Sequence, residues 1–474
     1  MNDYVVSIGL EVHCELKTAT KLLCSCKNEF GGEPNTRICP VCAALPGAMP
    51  ALSREAVDLA IKAGLALGCE IQKYCKWDRK NFFYPDSPKA WQTTQAELPL
   101  VKGGAVEFDF GGEKKTVRIN RIHLEEDAGK LIHDGGKTYI DLNRCGVPLI
   151  EIVTEPDLHS PEETVAFLEE LKREIRYSGV SDVKMQEGSL RVDVNLSVAK
   201  KGESAGERTE TKNLNSFSAV KRSCEYEAKR QISVCEQGGR IYRETRRWDD
   251  VKGEGSVMRR KEDMDDYRYF TEPDLQPVVL SDEYIENLKK SLPESAKSRV
   301  RRYTEKFGLP EYDAKVLTIE KEISDLFDQT VEFGADPKKA SNFIMGSVMR
   351  LMKDNGGKIF VNARQIAEML ALANEGKISL STAKDVLLPA IRSKSDSPLD
   401  IAEKAGVLQI NDVNALEELV GKVLGENQKA ANDYLGGNKK VISFLTGAVM
   451  KASKGKFNPE LVSKTVIKKL NQKE

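Results

Sequence analysis
The run Ser7-Ile-Gly-Leu-Glu-Val-His-Cys-Glu15 alternates polar and apolar residues with period two. Successive side chains of a strand leave opposite faces, so Glu11, His13 and Glu15 share one face while Ile8, Leu10, Val12 and Cys14 share the other. The pattern recurs in Arg121-Ile-His-Leu-Glu125, where His123 and Glu125 oppose Ile122 and Leu124. It recurs again in Arg191–Val198, where Arg191, Asp193, Asn195 and Ser197 oppose Val192, Val194, Leu196 and Val198. One such strand would suit any half-solvated sheet. Several whose polar faces carry carboxylates, histidine, asparagine and arginine point to a sheet whose open face binds a divalent metal and an anion.

A chain of 474 residues has room for roughly three domains. The first ~290 residues combine short alternating runs with the turn pairs Gly31-Gly32, Gly103-Gly104, Gly111-Gly112 and Gly135-Gly136, which is α+β sequence of mainly antiparallel type. Apolar spacing predicts helices over Ser53–Leu67 and Pro161–Tyr177 within it. After Pro293 the text turns helical, with Ile319–Phe333, Ser341–Lys353 and Val361–Ala373, and a polar break at Ser393–Pro398 precedes a last helical stretch. The expected divisions are 1–292, 293–405 and 406–474. Lys+Arg (72) and Asp+Glu (73) nearly cancel, so any surface for nucleic acid must be local. No stretch reaches the ~20 apolar residues of a membrane helix, and ten scattered cysteines suit a reducing, cytoplasmic setting better than a disulfide scaffold.

Four cysteines do cluster. Cys24-x-Cys26 and Cys39-Pro-Val-Cys42 form two chelating clips across residues 24–42, a spacing that predicts a structural Cys₄ zinc site. Cys14, Cys69, Cys75, Cys145, Cys224 and Cys235 stand alone and read as inert thiols. Gly136-Lys137-Thr138 imitates the end of a P-loop, but Leu131 occupies the position of its first glycine. Bound ATP would therefore rely on a metal and basic groups. Asp78–Asn81, Tyr84–Asp86, Lys89, Gln92, Arg246-Arg247 and Arg259–Lys261 supply the latter, and Glu11, Glu125 and Glu151 offer the oxygens that Mg²⁺ prefers. His13 is a less usual ligand beside them.

Longer motifs carry a resemblance. Asp78–Lys89, His123–Lys130, Asn143–Asp157, Ser181–Arg191, Lys212–Phe217, Asp265–Phe270, Gly447–Lys451 and Gly455–Pro459 resemble the GatB/GatE family, which holds the GatB subunits of bacterial aspartyl/glutamyl-tRNA(Asn/Gln) amidotransferases. The likeness spans essentially the whole chain. It implies a cradle-shaped catalytic domain related to glutamine synthetase and guanidino kinases, then a helical domain and a small YqeY-like helical tail. It implies a ligase that phosphorylates with ATP the side-chain carboxylate of Glu on the glutamine tRNA or Asp on the asparagine tRNA. Ammonia then displaces phosphate to give the amide. The implied partners are an amidase (glutaminase) that supplies the ammonia and a small protein that clasps the two together, in a heterotrimer, with no membrane.

By the same resemblance Glu11, His13, Glu125 and Glu151 hold Mg²⁺. Lys80, Lys89 and Arg247 bind phosphate or the substrate carboxylate, and Asp193, Asn195, Glu210, Lys212, Asn213 and Ser216 line the same basin. Cys145 and Trp91 depart from the family's usual residues at a pocket wall. The tail is lysine-rich, and the resemblance assigns Lys451, Lys454 and Lys456 to tRNA contact. The sequence leaves open which of the two tRNAs is served. A rival from another class is a non-catalytic tRNA-binding scaffold, which has no reason to gather three carboxylates around a histidine. A free-standing ligase acting on a small amino acid would leave the helical domain and tail without a role.

Overall fold
The computed structural model describes residues 3–260, 267–409, 413–453 and 457–472. The chain divides into two compact units, Met1–Ala296 and Lys297–Glu474.

Among the described residues of the first unit, ten strands form one sheet. They are β1 (Tyr4–Glu15), β2 (Glu70–Ile71), β3 (Val101–Lys102), β4 (Ala105–Phe110), β5 (Glu113–Glu126), β6 (Pro148–Thr154), β7 (Leu190–Lys200), β8 (Thr209–Leu214), β9 (Glu244–Asp249) and β10 (Glu254–Arg260). Their order is β10-β9-β8-β7-β1-β6-β5-β3-β2, with β4 paired to β5. Every pairing is antiparallel except that of β8 with β9. Gly111 and Gly112, both at positive φ, close the two-residue hairpin from β4 to β5, a turn that asks for left-handed backbone at both positions.

The alternation has the expected consequence. Ile8, Leu10, Val12 and Cys14 are buried in one core with Ile122, Leu124, Ile150, Ile152, Val192, Val194 and Leu196. Helices Arg54–Ala66, Pro161–Ser178 and Phe217–Glu236 supply the other side of that core through Ala60, Phe167, Leu171, Val220 and Cys224. Each starts on a serine whose hydroxyl accepts a backbone N–H: Ser53 from Ala56, Ser160 from Glu163 and Ser216 from Ala219, a cap worth about 1 kcal/mol apiece. The first two lie within a residue of the spans read from the sequence. The third is hidden in the sequence because its buried side mixes Ala219, Val220 and Cys224 with Ser223, Glu227 and Gln231, which breaks the apolar period. A small sheet of Asp78–Asn81, Trp91–Thr94 and Phe270–Thr271 lends Lys80, Trp91 and Gln92 to the wall of the cleft over the polar face.

The second unit is helical among its described residues. One apolar cluster joins Tyr303, Phe327, Phe343, Ile366 and Leu388, and another joins Leu416, Val420, Leu445, Val449, Val462 and Leu470. The stretch expected as one helix at Ser341–Lys353 is Pro337–Phe343, a π-turn at Ile344–Val348, and Met349–Asp354. No helix among the described residues is long and apolar enough to cross a membrane.

Candidate active site
Strand register assembles the site. Across β5, β6, β1 and β7, His123 lies opposite Glu151, Glu151 opposite His13, and His13 opposite Arg191. Directly opposed residues of antiparallel strands point to the same face, so these side chains form a row. Glu125, two residues along β5 from His123, joins them. His13 Nε2 lies 3.5 Å from Glu151 Oε2 and 3.7 Å from Glu125 Oε1. His123 Nε2 lies 3.2 Å from Glu151 Oε2 and 3.7 Å from Glu125 Oε2.

The next row belongs to Glu11, opposite Asp193. Asn195 Nδ2 donates to Glu11 Oε1 at 3.0 Å, Lys212 Nζ donates to Asp193 Oδ2 at 2.6 Å, and Lys212 Nζ sits 3.1 Å from Glu210 Oε1. Two donor sets result, His13/Glu125/Glu151 and Glu11/Asp193/Glu210, each with its ligand atoms within 4.8 Å of one another. The four residues grouped from the sequence are therefore divided: Glu11 sits with Asp193 and Glu210, next to the set containing His13. His123, whose shared face with Glu125 is legible in the sequence, is a buried cation to which the sequence alone gives no role.

Burial and charge set the protonation of these groups. Burial disfavours an ionised Glu151, but the adjacent His123 and His13 outweigh it and hold the carboxyl well below its usual range. Burial likewise opposes ionisation of Glu125, which His123 overcomes by hydrogen bonding. Burial would lower His123, yet Glu151 and Glu125 push it up to about 9, and His13 moves upward against burial mainly through Glu151. Glu11 is raised by burial and by repulsion from Glu151 and Glu210. Lys212 is raised despite burial because Asp193 and Glu210 face it. One imidazole with two carboxylates, beside three carboxylates, is a donor set suited to hard divalent cations.

Of these residues His13, Glu125, Asp193 and Lys212 reach a cleft of about 490 Å³ lined also by Lys80, Lys89, Gln92, Asn213 and Arg247, while Glu11, His123, Glu151 and Glu210 stand behind them on the same sheet face. Lys89 Nζ is engaged with Glu126 and donates to Thr93 Oγ1 at 3.1 Å. Lys80 lies over the Tyr267 ring, 5.0 Å from its centroid. Asn213 stands at positive φ and donates to the Trp248 carbonyl at 2.9 Å. Asn195, Glu210 and Ser216 are not among the cleft-lining residues; the Ser216 hydroxyl caps the helix Phe217–Glu236. Trp91 and Cys145, the two departures at a pocket wall, do line the cleft.

The sulfurs of Cys24, Cys26, Cys39 and Cys42 also lie within 4.8 Å of one another, and none is in a disulfide. Hydrogen bonding from Cys24, the Cys39 N–H and nearby Lys21 pull the Cys42 thiol down to about 4. Lys21, fully buried, reaches within 3.7 Å of Cys42 Sγ and donates to the carbonyls of Arg37 and Leu142. Four sulfurs with a buried ammonium beside them suit a tetrahedral Zn²⁺ with no open position. Cys14 is buried and inert, its thiol pushed up to about 12 by desolvation. Lys451 is exposed on the helix Ile442–Ala452, while Lys454 and Lys456 lie outside the described residues, as do Lys261, Asp265 and Asp266.

Comparison with known proteins gives the same answer over the full length. Residues 6–286 match the GatB/GatE catalytic domain and residues 325–470 match the GatB domain. The GatB subunit of the aspartyl/glutamyl-tRNA(Asn/Gln) amidotransferase of Caldicellulosiruptor bescii is 50% identical over 99% of this chain and 100% of its own. Proteins of the same description are 48% identical in Thermoanaerobacter pseudethanolicus (99% of this chain, 100% of theirs) and 47% in Carboxydothermus hydrogenoformans (99% and 99%).

Proposed function
This chain belongs to the GatB/GatE family, and from that premise we propose that it is the ATP-using subunit of a tRNA-dependent amidotransferase. The relatives' description as one subunit of such an enzyme supports a ligase built from several chains. In this reading the side-chain carboxylate of Glu or Asp, esterified to tRNA, attacks the γ-phosphorus of ATP and ADP leaves. Ammonia then attacks the carbonyl carbon of the acyl phosphate, phosphate leaves with the C–O bond electrons, and a proton is lost to give the amide. A partner glutaminase supplies the ammonia, a small third protein completes the complex, and the exposed lysines of the tail, Lys451 among them, contact tRNA. The sheet with its covering helices is the cradle of the glutamine-synthetase-like fold, and the two helical clusters of the second unit are its helical and tail domains.

The observation that carries this reading is the pair of adjoining donor sets, which meet the cleft through His13, Glu125 and Asp193. Magnesium held by His13, Glu125 and Glu151, and by Glu11, Asp193 and Glu210, would let carboxylate and polyphosphate approach and offset the charge spread over the transferring phosphoryl group. The chain's own groups do the positioning. Lys212 holds Asp193 and Glu210 in register, Asn195 orients Glu11, and His123 keeps Glu125 and Glu151 ionised. Lys80 and Arg247 present cations at the wall, where phosphate oxygens would arrive. The Cys₄ loop, carrying Zn²⁺, braces that wall through Cys145, whose sulfur lies 3.4 Å from the Cys42 carbonyl.

A scaffold would leave buried, mutually repelling carboxylates unexplained. The test is ATP consumption and amide formation with Glu-tRNA and free ammonia, which bypasses the glutaminase, for wild type and Glu125→Gln. Both activities should collapse together with tRNA binding kept; if both survive, the acidic strands are not the phosphoryl-transfer centre.

A further inference from the structure
The mouth of the cleft carries an exposed aromatic collar that neither the metal sets nor the phosphate groups account for. Phe83 is 75% exposed, Tyr84 57%, Met258 56% and Phe270 49%, an unusual concentration of large apolar side chains at one rim. They come from the turn after Asp78–Asn81, from β10, and from Tyr267–Phe270. Backbone ties hold these segments together: Phe270 pairs with Arg79, and Asn81 Nδ2 donates to the Arg268 carbonyl at 2.8 Å. The rings are ordered among themselves, with Phe82 and Tyr84 edge-on at 6.1 Å and Tyr267 and Tyr269 likewise at 6.1 Å. Cations lie across them. The Arg268 guanidinium is 5.7 Å from the Phe83 centroid, and that of Arg259 is 5.7 Å from Tyr267, whose hydroxyl it also bonds.

We propose that this collar is a stacking surface for the unpaired 3′ nucleotides of an RNA whose terminal aminoacyl group enters the cleft. The inference rests on the function proposed above. Flat apolar rings alternating with guanidinium planes match the two faces of a single-stranded nucleic acid, bases to stack and phosphates to neutralise. The collar is continuous with the catalytic floor, since Phe82 and Met258 line both rim and cleft. The polar floor suits the carboxylate and phosphates, not an apolar base. A 3′ strand bringing its aminoacyl end to Glu125 must therefore lie along the rim, where the rings are. Arg259 and Arg268 set cations against these rings at the rim, a sign that fits RNA, whereas Arg79, 5.6 Å from the Phe270 centroid, is already paired with Glu272 and Asp274. The adenine of ATP is the competing occupant.

The experiment is anisotropy titration of the full-length chain, at one fixed salt concentration, with two RNA hairpins sharing an acceptor-like stem. One ends in a few unpaired 3′ nucleotides and the other is blunt. Wild type should prefer the overhang. Phe83→Ala and Tyr84→Ala should each weaken overhang binding about tenfold and leave the blunt hairpin unchanged, while Tyr84→Phe should retain the preference. A wild type without preference, alanine variants that keep it, or variants that instead lose ATP affinity would each overturn the assignment, the last giving the collar to adenine. No catalysis is read, so this result and that of Glu125→Gln can fail separately.

Discussion

Glu227→Leu should be the most damaging substitution outside the cleft floor. Glu227 is 3% exposed on the helix Phe217–Glu236 and gathers a buried polar network. It accepts from Arg230 Nε at 2.9 Å and Nη2 at 2.6 Å, from Gln231 at 2.9 Å and from Thr209 Oγ1 at 2.7 Å, with Arg246 Nε at 3.3 Å. Leucine matches its bulk but leaves Arg230 with only Glu244, 4.0 Å away, and leaves Arg246, itself 6% exposed, to share that same carboxylate. Removing one partner of a buried ionic network costs about 3–5 kcal/mol. At roughly 2–4 °C per kcal/mol for a unit of this size, Tm should fall by about 6–20 °C. Glu227→Gln, which keeps the acceptor oxygen, should lose less. The sign with pH is fixed as well. Burial raises the Glu227 carboxyl, but Arg230 and Gln231 outweigh it and hold it below its ordinary value, so its stabilisation exists above the unfolded pKa of about 4.3 and vanishes as pH falls through the folded one. Differential scanning calorimetry at pH 7 and near pH 4 reads both effects. A Tm within 2 °C or so of wild type at pH 7, or a gap that widens in acid, would refute the account of this helix as an ionically anchored element.

Two further outcomes follow from the site. Cys42→Ser should abolish zinc binding, read by elemental analysis, and lower Tm by several degrees, because the loop has little apolar core apart from its sulfurs; zinc stoichiometry equal to wild type would count against the Cys₄ site. In chelator-treated protein, His123 adds stability that is complete below the unfolded pKa of about 6.5 and is lost as pH rises through its folded value of about 9. Tm of the metal-free wild type should therefore decline between those limits more steeply than that of His123→Gln, and equal slopes would contradict the pairing with Glu151.

What could be read from the chain and what could not divide along physical lines. Period-two strands were legible because their two faces differ in kind: Ile8, Leu10 and Val12 are 0–1% exposed, and Glu11 and His13 face the other way. The turn glycines were legible because positive φ is costly for other residues. Which acids meet was not, since that depends on strand neighbours far apart in sequence. Glu11 and His13 are two residues apart, yet register gives one Asp193 and the other Glu151. Ser216, which the resemblance places in the basin, caps a helix that the sequence hides by setting Glu227 and Gln231 on its buried side. The aromatic collar is not legible in the sequence because its segments, Phe82–Tyr84 and Tyr267–Phe270, lie far apart along the chain and are brought together by the pairing of Phe270 with Arg79 and the bond from Asn81 to the Arg268 carbonyl.

That division bears on how the site works. Glu11, Glu125, Glu151, Asp193 and Glu210 are partly or fully buried on one sheet face, and like charges so close repel strongly in a low-dielectric setting. The chain offsets them with His123, His13 and Lys212, each a cation whose pKa is raised by the acids it faces. The offset is incomplete: Glu11 is itself raised, mainly by burial and then by Glu151 and Glu210, so the second donor set resists full ionisation. Divalent cations entering the two sets would complete the neutralisation and make the floor attractive to polyphosphate, which the bare carboxylates repel. Anion binding and metal binding should therefore be mutually reinforcing here, each weak alone. ATP titrated calorimetrically into chelated protein should bind far less tightly than into protein with Mg²⁺, and this dependence should be lost in Glu125→Gln, where one charged ligand of the first set is gone.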